Sequence, residues 1–297
     1  MSTTPKVPII LDTDIGDDID DTWALTMMLK SPELDVKMVM TDYGKVTYRT
    51  RLVARMLEVA ERTDIPVGMG IPLHGGEGGQ ARWVANYELA SYPGIIYEDG
   101  VGALIDTIMN APEPITLICI GPLPNIAAAL EREPKIAENA RFVGMHGSVR
   151  RGYENSNQIS AEWNVRANPE ACRKVFTAPW EITITPLDTC GIVHLRGEKY
   201  RAVRDCEQPL TRALMDNYRM WLGDRVEQAE KQSSTLFDTV AIYLALSEEL
   251  LVMEKLSIRI TDDGYTVIDD KGKVINCAVE WRDLGAFEAF LVERLTS

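Results

Sequence analysis

Apolar residues in this chain fall into short blocks separated by amphipathic stretches. Val7–Leu11 is an apolar run of strand length, and Asp35–Thr41, Ile65–Met69, Ile115–Ile120, Arg141–Met145 and Glu181–Thr185 repeat the pattern. Between them, Asp21–Lys30, Tyr48–Arg62, Ile126–Arg132 and Pro169–Phe176 read as helices, with Leu52, Met56, Val59 and Ala60 at helical spacing in the second. Alternating strands and helices predict an α/β fold: a mostly parallel central sheet with helices on both faces. Ligands of such sheets bind beyond the carboxyl ends of the strands. Gly44-Lys45, Gly121-Pro122, Met145-His146 and Asp188-Thr189 all fall at such ends.

The last third changes character. Leu210–Lys231 reads as one long helix and Leu236–Leu246 as another. Leu256–Ala278 alternates, with turns at Asp263-Gly264 and Lys271-Gly272, and predicts a small antiparallel addition before a closing helix, Leu284–Leu295. No linker or repeat interrupts the chain, so one domain is expected over 1–297. Gly70–Gly100, with HGGEGG at 74–79, is the least patterned stretch and reads as a lid or a mobile insertion.

Composition narrows the partners. The chain has 297 residues, 45% hydrophobic and 26% charged, enough for a sizeable core. A net charge of −14 repels nucleic acid and anionic membranes as main partners. No run reaches membrane-spanning length, and MSTTPKVPII lacks a signal pattern, so a cytoplasmic protein is expected. The five cysteines are scattered and form no CxxC pair, which suggests neither a disulfide framework nor a zinc site.

One segment stands out chemically. LDTDIGDDIDD (11–21) places Asp12, Asp14, Asp17, Asp18, Asp20 and Asp21 just after the first strand. A bound cation, protonated carboxyls or a solvated loop would each relieve their repulsion. Carboxylates at a strand end suit a hard cation that takes oxygen ligands. Asp12 and Asp14 point the same way if the chain stays extended, whereas Asp20 and Asp21 also fit helix capping. Ala161-Glu162-Trp163-Asn164 suits sugar hydroxyls or a plain surface loop. Asn125 reads as a helix cap, and Asp238 as a cap or a distant metal ligand.

Together these motifs resemble the inosine–uridine-type nucleoside hydrolases, in a variant whose aspartate motif is DTDIGxDxDD. TDYGK (41–45), GPLPNIA (121–127), VGMHG (143–147), AEWN (161–164) and FDTVA (237–241) follow in the family's order. The resemblance implies the Rossmann-like nucleoside hydrolase fold and cleavage of the N-glycosidic bond of a small ribonucleoside with bound Ca²⁺. It also implies an oligomer, a dimer or tetramer. Carried over by position, Asp14 would bind calcium and act as general base. Asp21, Asp238 and the Ile120 carbonyl would complete the metal site, supported by Asp12. Asp20, Glu162 and Asn164 would hold the ribose.

Three positions depart from the pattern. Phe237 replaces the histidine proposed to protonate the leaving base. Of His74, His146 and His194, His146 stands either as its substitute or as a structural histidine. Lys45 replaces an asparagine, to meet a 5′-phosphate or one of the aspartates. The asparagine expected before AEWN falls at Ser156, with Asn155 and Asn157 beside it, and Asn157 is the candidate. Tyr218 and Trp221 would stack on a base or pack in the core. Two rivals are a ribose-binding protein without turnover and a haloacid-dehalogenase-like Mg²⁺ phosphohydrolase using Asp12, Asp14 and Asp262-Asp263.

Overall fold

The computed structural model describes residues 5–73 and 75–297. His74 lies outside them, as do the first four residues of the N-terminal segment. The strands are β1 (Val7–Thr13), β2 (Leu34–Thr41), β3 (Val67–Met69), β4 (Ile96–Tyr97) and β5 (Ile115–Cys119). They continue with β6 (Ala140–Met145), β7 (Ile182–Thr185), β8 (Leu251–Ile260), β9 (Thr266–Ile268) and β10 (Lys273–Trp281). Among the described residues they form one sheet in the order β4-β3-β2-β1-β5-β6-β7-β10-β8-β9. From β4 to β7 all pairings are parallel.

Alternate residues of the central strands feed opposite apolar clusters, which explains their unbroken hydrophobic runs. Ile9 and Leu11 face one cluster with Ile118, Val143 and Met145. Ile10 faces the other with Leu117, Cys119 and Phe142. The expected antiparallel addition is present: β8 runs against both β10 and β9. It is continuous with the main sheet, because β10 pairs in parallel with β7.

The expected helix Leu210–Lys231 ends early. Its α-helical part is Pro209–Leu222, and Gly223 at φ +54° turns the chain into 3₁₀ turns over Gly223–Glu230. A left-handed glycine is a common helix stop. A helix over Gly100–Met109, unforeseen from the pattern, starts on Asp99, whose carboxylate accepts the Gly102 N–H. The stretch before it is anchored: Trp83, Val84 and Tyr92 are buried, and β4 pairs with β3. Among the described residues no helix is long and apolar enough to cross a membrane.

β1 pairs with β2 on one side and β5 on the other, so the connections diverge there. A crevice opens beyond the carboxyl ends of such neighbouring strands.

Candidate active site

The crevice is a cavity of about 430 Å³. Asp14, Asp17, Asp18, Asp20, Asp21 and Asp238 line it, with Ile120, Glu162 and Asn164. Met145, Tyr153, Trp163 and Phe237 complete the lining. Segments far apart in sequence meet here because each follows a strand or begins a helix at one sheet edge.

Asp12, next to last in β1, is fully buried. Its Oδ1 accepts from Asn125 Nδ2 at 2.8 Å, and its Oδ2 has no partner. Asn125 is therefore not a helix cap. It sits inside the helix Pro124–Arg132, donates also to the Thr41 carbonyl at 3.1 Å and accepts from the Ile71 N–H. One amide thus ties β1, β2 and the chain after β3 together. Burial, above all, pushes the Asp12 carboxyl up to about 7.

Asp14 projects just beyond β1. Burial raises its carboxyl to about 6, against the pull of the Arg49 guanidinium. Asp20 and Asp21 open the helix Asp20–Leu29, whose N-cap is Ile19 with no side-chain cap bond. They are not caps. Thr13 Oγ1 donates to Asp21 at 2.5 Å. Asp238 precedes the helix Thr239–Leu246 and makes no cap bond either. Oxygens of Asp20, Asp21 and Asp238 all lie within 4.8 Å of one another. Two helix N-termini meet at this group, where the dipoles favour negative charge. Burial, then repulsion from neighbouring aspartates, holds all three carboxyls well above the ordinary range. Buried carboxylate oxygens this close fit a hard divalent cation. The tight trio includes Asp20, expected on the ribose, while Asp14 lines the same cavity outside it.

AEWN is no surface loop. Glu162 caps the helix Trp163–Ala167, accepting from Asn164 N–H at 2.7 Å, Gly147 N–H at 2.9 Å and Val165 N–H at 3.3 Å. Burial, opposed by these bonds, raises its carboxyl to about 7. Asn164 Nδ2 donates to the carbonyls of Ile120 at 3.1 Å and Met145 at 3.0 Å. The Ile120 carbonyl therefore already serves one partner and has one lone pair to spare.

A family model for inosine-uridine preferring nucleoside hydrolase matches residues 9–288. The chain belongs to this family. It is 30% identical to the non-specific ribonucleoside hydrolase RihC of Klebsiella pneumoniae over 291 residues, covering 91% of this chain and 90% of that one. A Salmonella agona protein of the same name is 31% identical over 296 residues, with the same two coverages. In fold the chain is similar to a plant nucleoside hydrolase, with a TM-score of 0.85 at 24% identity over 99% of this chain and 100% of that one. A purine-preferring ribonucleoside hydrolase from Gardnerella vaginalis gives 0.81 at 21% identity, over 97% and 98% of the two chains.

Four expected site residues of this nucleoside hydrolase lie outside the cavity lining: Asp12, just behind it, and His146, Lys45 and Asn157. His146 is fully buried against Phe142 and Phe176, with Nε2 on the Gly121 carbonyl at 3.1 Å. Burial lowers its pKa to about 3, and the ring packs into the core, outside the cavity lining, as a structural histidine would. Lys45 meets neither an aspartate of the motif nor the cavity; it pairs with Glu77 at 2.8 Å on the surface. Asn157 is exposed, and its side-chain oxygen accepts from Arg151. Tyr218 and Trp221 stack on each other, 6.2 Å between centroids, and neither lines the cavity. Asp262 of the phosphohydrolase reading is on the surface with Arg173.

Other site residues escaped the sequence reading. Tyr153, its hydroxyl accepting the Trp163 N–H at 2.9 Å, packs edge-on to Phe237 at 6.3 Å. Asp42 is fully buried close to Asp12 and Asp14, with Oδ2 unpartnered. Arg49 is a buried cation within the acidic group. TDYGK entered the reading only as a motif of the resemblance and for Lys45, and VTYRT only as part of a helix, so neither Asp42 nor Arg49 was singled out.

Proposed function

We propose that this protein, one domain over 1–297, hydrolyses the N-glycosidic bond of ribonucleosides with the help of bound Ca²⁺. The observation that carries the reading is one cavity joining Asp14 and the converging Asp20, Asp21 and Asp238 with Glu162 and Asn164. Asp21 and Asp238 would hold the ion with Asp14 and the Ile120 carbonyl. Calcium in that place would lower the pKa of a water and orient ribose hydroxyls. Asp14 takes the proton from the attacking water. Asp20, Glu162 and Asn164 hold the ribose hydroxyls, Glu162 being fixed by three backbone donors. As the C1′–N bond lengthens the sugar becomes cation-like, much as in glycoside hydrolysis, and the surrounding carboxylates stabilise that charge. Asp12 supports Asp14 from behind, locked by Asn125.

On the base side the aromatic group Tyr153, Trp163 and Phe237 supplies stacking area. With Lys45 engaged by Glu77, the reading favours nucleosides over 5′-nucleotides. It places the enzyme in the cytoplasm as a dimer or tetramer, which light scattering checks.

The test is release of reducing sugar from purine and pyrimidine ribonucleosides, their 5′-phosphates and 2′-deoxy analogues, with calcium and after chelation. Metal-dependent release confined to ribosides is the expected result. Calcium-dependent riboside binding without any release would replace the hydrolase with a binding protein.

A further inference from the structure

Between Gly16 and the helix-opening Asp20, the acidic turn carries Asp17, Asp18 and Ile19. Something must hold this turn, because Asp14 precedes it and Asp20 and Asp21 follow it. Tyr48, Trp221 and Gln80 each bond one carbonyl of the turn, and Arg49 makes two bonds to it while also reaching a second loop. Arg49, in the helix Val46–Val59, is 2% exposed. Its Nη1 donates to the Ile15 carbonyl at 2.9 Å and its Nη2 to Asp17 Oδ2 at 2.8 Å. Its Nε donates to the Tyr43 carbonyl at 2.5 Å.

The third contact reaches a second loop. Tyr43 and Gly44 are both left-handed, at φ +51° and +70°, a tight turn that delivers the Tyr43 carbonyl to the guanidinium. A Cβ at Gly44 would lie 2.9 Å from Arg49 Nη2, so the turn is built against this side chain. The Tyr43 ring in turn meets Trp163 edge-on, 6.3 Å between centroids. Tyr48, one residue earlier, adds a hydroxyl bond to the Gly16 carbonyl at 3.1 Å.

We propose that Arg49 is a positioning residue: its planar fork fixes the Ile15–Asp17 turn against the Tyr43–Gly44 turn, and so sets the approach of Asp14 to the Asp20, Asp21 and Asp238 group. This rests on the metal-assisted reading above. Lysine cannot replace it, since an ammonium is a point charge without a fork. Loss of a side chain that orients metal ligands typically costs 10–100-fold in metal affinity or activity.

Arg49→Lys separates geometry from charge. Calcium affinity is measured by calorimetry on protein with an unchanged circular dichroism spectrum, and kcat and KM with the best ribonucleoside. The expected result is calcium binding weakened about 10-fold or more, with kcat falling more than KM changes. Arg49→Lys with wild-type calcium affinity and kcat overturns the proposal, as does a lowered melting temperature with both constants unchanged. Asp17→Asn, at a half-exposed position, should shift both constants the same way by less. Its effect should largely vanish in the Arg49→Lys background; additive effects overturn the shared clamp. A wild-type protein that takes up no calcium overturns the metal reading together with this assignment, whereas equal calcium uptake by wild type and Arg49→Lys overturns this assignment alone.

Discussion

The acidic and aromatic parts of the cavity lining are held in different ways. Asp14, Asp20, Asp21 and Asp238 sit at strand ends and helix starts, backed by Thr13, Asn125 and Arg49 through bonds of fixed geometry. Tyr153, Trp163 and Phe237 are held mainly by ring contacts, Tyr153 with Phe237 and Trp163 with Tyr43, and by the bond from the Trp163 N–H to the Tyr153 hydroxyl. Charges that repel need a rigid frame and a counter-ion. Rings that stack on a ligand need only area. Substitution should therefore be unforgiving on the first side and graded on the second.

The largest expected effect is at Asp14. Asp14→Asn should lower kcat for ribose release by about 1,000-fold while the fold persists; a variant with near-normal kcat would remove Asp14 as the base. Next comes metal linkage. Calcium at a thousand times its dissociation constant adds about 4 kcal/mol to the unfolding free energy. Chelation should lower the melting temperature by about 8 °C, and Asp238→Asn should abolish most of that difference. An equal shift in the variant would place the ion elsewhere.

The same acids predict a pH dependence. Asp14, Asp12 and Glu162 have carboxyls raised to about 6, 7 and 7, mainly by burial. Between about pH 4 and 7 the metal-free native state therefore holds protons that the unfolded chain releases, so stability falls as pH rises through that window. Thermal scans in chelator at pH 4.5 and 7.5 should show the decline, and calcium should offset it at the upper end. A flat or rising profile without metal would mean that the cluster is already neutralised. Asn125→Ala, which strips Asp12 of its donor, should cost about 1–3 kcal/mol in chemical denaturation. Phe237→His tests the softer side: purine riboside turnover should rise a few fold at slightly acid pH, with pyrimidine turnover little changed.

What could be read in the sequence follows the range of the interactions. The strand–helix alternation and the aspartate loop are local patterns, and both are present. Asp12 and Asn125 are 113 residues apart, and nothing around GPLPN says that its amide crosses to the first strand. VGMHG placed His146 correctly at a strand end, but whether its ring turned to the cavity or to Phe142 depended on packing from another helix. Lys45 met Glu77 because the 75–80 stretch folds back beside the acidic turn: a Cβ on Gly78 would collide with the Gly16 carbonyl. The helix after Pro209 kept its amphipathic pattern past Gly223, and only the left-handed backbone there ended it.

Gly121 extends this to transplantation of the site. A Cβ at this position would stand 2.9 Å from Asp14 Oδ1 and 3.0 Å from the Asp14 nitrogen. The Ile120 N–H, one residue earlier, bonds the Asp12 carbonyl at 2.9 Å. The spacing between the acid loop and the loop after β5 is thus written in main-chain atoms with no room for a methyl group. A designer moving these carboxylates to another scaffold would have to bring two adjacent parallel strands and a bare glycine with them, because the side chains alone carry only part of the instruction.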